Sequence, residues 1–258
     1  MKDKKIILLV WVGLLFQCNS MKQVSESKQE PMEIYLCIGQ SNMAGRAPIE
    51  TQDRDSLNNV FLFTNDENKP WEKAANPLNK YSTVRKHIDM QKLGPSYGFA
   101  KTMAQSRQGK RIGLVVNAKG GTSIEEWKPG DTLYNEAVNQ TKKALKHGVL
   151  KGIIWHQGET NASRYKAYMP KITELIESLR KDFNAPNLPF VAGQLSPDKP
   201  QRNDFNQMIL ELPTKVKNTG VITTENTATI DNTHFDSASQ RLLGERYAIE
   251  MLKLISKE

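Results

Sequence analysis

Ile34-Tyr35-Leu36-Cys37-Ile38, followed by Gly39-Gln40-Ser41-Asn42-Met43, decides how this chain folds. The first five residues are uncharged, and Ile34, Leu36 and Ile38 alternate with Tyr35 and Cys37. Such a run reads as a strand buried on both faces. Gly39 ends it, and Ser41 stands where a strand hands over to a helix. A hydroxyl at that corner points out of the sheet edge, toward the first free N–H groups of the helix. An exposed nucleophile beside free donors is what acyl transfer requires. A serine at a helix start also serves as a plain N-cap, and this stretch taken alone favours the cap.

The pattern recurs along the chain. Apolar runs at 60–63, 112–116, 152–155, 188–194 and 221–224 read as strands. Helical spacing is found at 94–107, 131–147, 164–183, 204–212 and 237–255, with Pro170 marking a kink or a late first turn in the third of these. Strands alternating with helices imply an α/β fold with a central parallel sheet covered on both faces. Ligands of such sheets bind beyond the carboxyl ends of the strands. Three strands end in glycine-bearing loops, at Gly39-Gln40-Ser41, Gly120-Gly121 and Gln157-Gly158, so all three gather on one edge. Residues 64–92 are rich in Asn, Lys, Asp and Pro and lack periodicity. They read as excursions on the rim of the site. Within them Trp71, Tyr81 and His87 are candidates to touch a sugar, with Trp71 more simply a pin for its own loop.

A serine nucleophile needs a base, and the base needs an acceptor on its other ring nitrogen. The chain has four histidines, and in Asp231-Asn232-Thr233-His234 one of them follows a carboxylate by three residues. One turn can therefore deliver both groups. A structural turn before the last helix is the plainer reading. Gly120-Gly121 lets the backbone approach a ligand, so that one of its N–H groups can reach an oxyanion. Gln157 carries an amide donor at the next strand end, or is simply a hydrogen-bonded loop residue. Glu159 has three readings: holding its loop, binding substrate hydroxyls, or competing with Asp231 to orient His234.

Five blocks together resemble the SGNH hydrolase superfamily, in its sialate O-acetylesterase and acetylxylan esterase branch (carbohydrate esterase family six). They are Gly39-Gln40-Ser41-Asn42-Met43-Ala44-Gly45; Gly94-Pro95-Ser96 with Gly98-Phe99-Ala100; Gly120-Gly121-Thr122-Ser123-Ile124 with Glu126-Trp127; Trp155-His156-Gln157-Gly158-Glu159; and Asp231 with His234. The resemblance runs from about Glu33 to the end. It implies a three-layer α/β/α sandwich of flavodoxin-like type, with Ser41 as nucleophile, His234 as base and Asp231 as its orienting acid. It also implies an oxyanion hole from the Ser41 N–H, Gly120 or Gly121, and Gln157, the last standing where the wider superfamily has Asn. The activity implied is removal of O-acetyl groups from carbohydrates, sialic acid or xylan and other glycans, without a cofactor or metal. A carbohydrate-binding lipoprotein without catalysis, and a lipase or thioesterase of the same superfamily, are the alternatives. A metal hydrolase using His156 and Glu159 lacks a further His or Cys cluster to complete its site.

The two ends of the composition fit this. Charged residues at 25% and hydrophobic residues at 38% suit a soluble globular domain. The net charge of +8 is spread over many lysines and forms no basic block alternating with aromatics, so no nucleic-acid partner is expected. Lys2, Lys4 and Lys5 precede an apolar core at 6–16 that is too short to span a bilayer. Cys18 after Leu15-Phe16-Gln17 resembles a bacterial lipobox, the alternative being an ordinary signal cut near Ser20. The expected division is a leader at 1–18, a flexible tether at 19–31 and one esterase-type domain at 32–258. The expected location is the periplasm or outer surface, with lipid attachment through Cys18. Cys37 then remains as the one cysteine of the domain, which excludes a disulfide framework; it reads as a small core residue.

Overall fold

The computed structural model describes residues 30–256. The leader, Cys18 and nearly all of the tether lie outside the described residues. Seven strands form one sheet: β1 (Met32–Gly39), β2 (Val60–Phe63), β3 (Trp71–Lys73), β4 (Ile112–Ala118), β5 (Gly148–His156), β6 (Phe190–Gly193) and β7 (Thr219–Ile222). Their order is β3-β2-β4-β1-β5-β6-β7. All neighbours are parallel except β3, which runs antiparallel to β2 at the edge.

β1 lies at the centre, and its alternation divides the core in two. Ile34, Leu36 and Ile38 face one apolar layer, and Tyr35 and Cys37 face the other. The first layer is closed by α3 (Thr132–Ala144), α4 (Tyr168–Asp182) and α5 (Gln201–Leu210), through Leu133, Val138, Ile172, Ile176 and Phe205. The second is closed by α2 (Pro95–Ser106) and α7 (Ser237–Ile255), through Phe99, Met103, Leu243, Tyr247 and Met251. α2 and α7 cross closely because the contact is glycine on glycine. A Cβ on Gly244 would stand 2.4 Å from the Pro95 carbonyl oxygen and 2.7 Å from Gly98 Cα. Cys37 is fully buried and unpaired, and burial pushes its thiol up to about 12, as suits an inert core residue.

The expected sandwich is therefore present, with shifted boundaries. β1 begins two residues earlier than the apolar run, because the buried Glu33 is neutralised by Arg107. Residues 64–92 are not wholly irregular. Trp71 starts the edge strand and packs against Phe63 at 5.2 Å, so it pins this corner of the core. The helix expected from 164 begins at Tyr168 after a 3-10 turn, and Pro170 falls in its first turn, where the missing N–H costs nothing.

Candidate active site

The loops after β1, β4 and β5 meet at the carboxyl edge of the three central strands. Gly39 makes the first possible. Its φ is +142°, and a Cβ there would lie 2.2 Å from the His156 carbonyl oxygen on β5. The chain then turns at once into α1 (Ser41–Ala44), a single turn. Gln40, and not Ser41, is the N-cap. The serine is the first helical residue and is buried, and its hydroxyl is engaged elsewhere. Its Oγ lies 3.0 Å from His234 Nε2.

His234 sits in the connection between β7 and α7. Asp231 folds that connection into a tight turn: its Oδ1 accepts the backbone N–H groups of Thr233 (3.1 Å) and His234 (2.7 Å). Its Oδ2 lies 2.6 Å from His234 Nδ1. A carboxylate there accepts the Nδ1 proton, which leaves Nε2 as the acceptor for the serine hydroxyl. Burial works to raise the Asp231 pKa, but the His234 ring and backbone N–H groups together hold it below the usual carboxylate range. Asp231 thus stays ionised throughout the range in which a histidine can act as base.

Asn42, next to the serine, ties the two loops together. Its Oδ1 accepts the Phe235 N–H (3.1 Å), and its Nδ2 donates to the Thr233 carbonyl (3.1 Å) and to Glu159 Oε1 (2.5 Å). Glu159 is thereby placed on Asn42, not on the His234 ring; its other neighbour is His156 Nε2 at 3.9 Å. Of its three readings, holding the loop is the one that matches these contacts. His156 itself is turned into the core. Tyr247 donates its hydroxyl proton to the Trp155 carbonyl (2.8 Å) and so accepts from His156 Nδ1 (2.9 Å). Burial lowers the His156 pKa, with Glu159 opposing.

Gln157 departs from the expectation. Its Nε2 donates to Asn161 Oδ1 (2.8 Å), the Thr122 carbonyl (3.1 Å) and Gln40 Oε1 (3.2 Å), and its Oε1 accepts from Tyr168 (2.7 Å). The side chain is buried and its amide protons are committed, so the structure does not bring it to the oxyanion position. It is the hydrogen-bonded loop residue. What it orients is Gln40, whose Oε1 also receives the Gly158 N–H at 3.4 Å. Gln40 Oε1 is thus fixed toward β5, and Gln40 lines the cleft in front of Ser41. Sequence reasoning passed over Gln40 because a residue beside a nucleophile carries no spacing signal of its own.

That cleft is about 380 Å³ and is also lined by Gly120, Gly121 and Glu159. Gly120 is the glycine against the serine: a Cβ on it would lie 3.4 Å from Ser41 Cβ and 2.5 Å from Arg46 Nη2. Gly121, at φ +78°, lies under Lys86 Nζ. Arg46 is held by Nη1, which donates to the Gly45 (2.6 Å) and Met90 (3.0 Å) carbonyls, and burial lowers its pKa. Lys199 and Arg202 stand among the other lining residues. The 64–92 segment reaches the cleft through Lys86 and Met90, while Trp71, Tyr81 and His87 do not line it; Tyr81 bonds Glu72 instead.

The family model described as carbohydrate esterase, sialic acid-specific acetylesterase matches residues 31–253. A probable carbohydrate esterase of Arabidopsis thaliana is 31% identical over 192 residues, 64% of this chain and 70% of the relative. A 1.6 Å crystal structure of an Arabidopsis thaliana protein superposes with a TM-score of 0.77 at 27% identity, covering 87% of this chain and 99% of that one. A carbohydrate acetylesterase from Xanthomonas citri shares the fold, with a TM-score of 0.65 at 22% identity over 88% of this chain and 57% of that one.

The two carboxylates near the site predict different consequences. Asp231→Asn is expected to lower kcat for a model ester by on the order of 10⁴-fold, because an amide facing Nδ1 favours the tautomer with Nε2 protonated toward Ser41. Glu159→Gln keeps an acceptor for Asn42 and should cost far less. Steady-state kinetics of the two variants checks this, and equal losses would contradict the placement of Asp231 as the orienting acid.

Proposed function

The chain belongs to that carbohydrate esterase family and is a carboxylic ester hydrolase, and we propose that it removes O-acetyl groups from sugars through an acetyl-serine intermediate. The observation that carries the reading is the continuous line from Asp231 through His234 to Ser41, at 2.6 and 3.0 Å. His234 takes the Ser41 proton as Oγ attacks the ester carbonyl. The sugar alcohol departs with that proton, and a water activated by the same imidazole clears the acetyl group. The developing oxyanion is held by the Ser41 and Gly120 N–H groups and by the Gln40 amide, in place of Gln157. Gly120 is preferred to Gly121 because it is the one packed against the serine.

Charge at the cleft supports an acidic sugar, of which sialic acid is the example in the family's description. Arg46, Lys86 and Lys199 line it, against the single carboxylate of Glu159, which is occupied by Asn42. An anionic substituent on the substrate supplies the missing countercharge, whereas neutral xylan does not. Export, and attachment through an acylated Cys18, belong to the same proposal and are supported by the leader sequence.

Three outcomes are expected. Ser41→Ala abolishes p-nitrophenyl acetate hydrolysis with the circular dichroism spectrum retained, while Gln40→Ala loses about a hundred- to a thousandfold in kcat; turnover by the serine variant, or a Gln40 variant at wild-type rate, contradicts the mechanism. Acetate release from O-acetylated sialic acid exceeds that from acetylated xylan at low salt, and the gap narrows as salt rises or in Arg46→Gln; a salt-independent preference for xylan contradicts the acidic substrate. In bacterial cells, labelled palmitate enters the full chain and the protein sediments with membranes, and Cys18→Ala loses both; label retained in that variant contradicts the anchor.

A further inference from the structure

Arg202 is the second residue of α5, it is only 4% exposed, and neither the motifs nor the mechanism above gives it a task. Its guanidinium joins two loops. On one side Nη1 donates to the carbonyl (3.4 Å) and the hydroxyl of Ser196, a fully buried residue just beyond β6. On the other side Nη1 donates to the Asn232 carbonyl and Nη2 to Thr233 Oγ1, each at 3.1 Å. Asn232 and Thr233 are the two residues between Asp231 and His234. Asn232 adopts φ +58°, the left-handed region that Asn enters more readily than most residues with a side chain.

We propose that Arg202 is a positioning residue for the ester hydrolysis, a charged strut that locks the turn carrying Asp231 and His234 against the body of the domain. Asn42 holds the same turn from the serine side, through Thr233 and Phe235. The two contacts grip the turn from opposite sides. Together they fix the imidazole at hydrogen-bond distance from Ser41. All four acceptors of Arg202 are neutral, so its positive charge is not cancelled by its own partners. Arg202 shares a wall of the cleft with His234.

This inference rests on the reading of Ser41 and His234 given above. The test uses the full chain and the neutral ester p-nitrophenyl acetate, so that no substrate charge enters. Arg202→Met is expected to lose on the order of a hundredfold in kcat with KM nearly unchanged. Added guanidinium ion should restore part of the rate. Arg202→Lys keeps the charge but not the fork of donors, so it should lose part of kcat, less than the Met variant, with KM in place. A folded Met variant with wild-type kcat overturns the proposal. So does one that loses activity with no rescue by guanidinium, which is the signature of packing alone. Should the Met variant fail to fold, the Lys variant decides: wild-type kcat overturns the proposal. A wild type without esterase activity, or an active Ser41→Ala, defeats the underlying reading instead.

Discussion

The site depends on two hydrogen bonds made by one buried amide. Asn42 accepts from the Phe235 N–H and donates to the Thr233 carbonyl, and so joins the first strand's end to a turn almost two hundred residues later. Neither partner group is aimed by its own secondary structure. α1 is a single turn with a charge-free start, and the 231–234 turn hangs between a short edge strand and a helix. The serine–histidine distance is a by-product of this cross-tie. Unsatisfied, each buried polar group involved would cost about 1–3 kcal/mol, so the join is also part of how the domain holds its last helix against the sheet.

Around that join Ser41, His234 and Gln40 line the cleft together with Glu159 and Arg202. Gln157 and Asn42 stand behind them, with their amide groups committed to hydrogen bonds. Preorganised donors need no reorganisation when charge appears in the transition state, which is why such buried amide networks favour acyl transfer. The glycines serve the same end by absence. Gly39 lets β1 run against β5, and Gly120 leaves room for the Arg46 guanidinium beside the nucleophile.

Much of this was legible in the chain itself. Alternation in residues 34–38 identified a doubly buried strand, and the two apolar layers divide along that alternation. Asp231 and His234 could be paired because one turn holds both. The edge strand at Trp71–Lys73 was hidden, since three half-polar residues carry no period, and its pairing with β2 is a tertiary effect. Gln157 was misplaced for a related reason. Sequence locates a side chain at a strand end, but not which of its neighbours compete for its protons, and Thr122 and Asn161 win them. Arg202 was invisible, because its partners on the 231–234 turn lie about thirty residues away and share no spacing with it.

The central claim is that Ser41 is the nucleophile activated by His234. Covalent trapping tests it most directly. A fluorophosphonate added to the native protein should end hydrolysis as it attaches, one equivalent per chain, to the peptide containing Ser41, and a His234→Ala variant should resist labelling. Label on any other peptide, or full activity in a protein labelled at Ser41, would contradict the account.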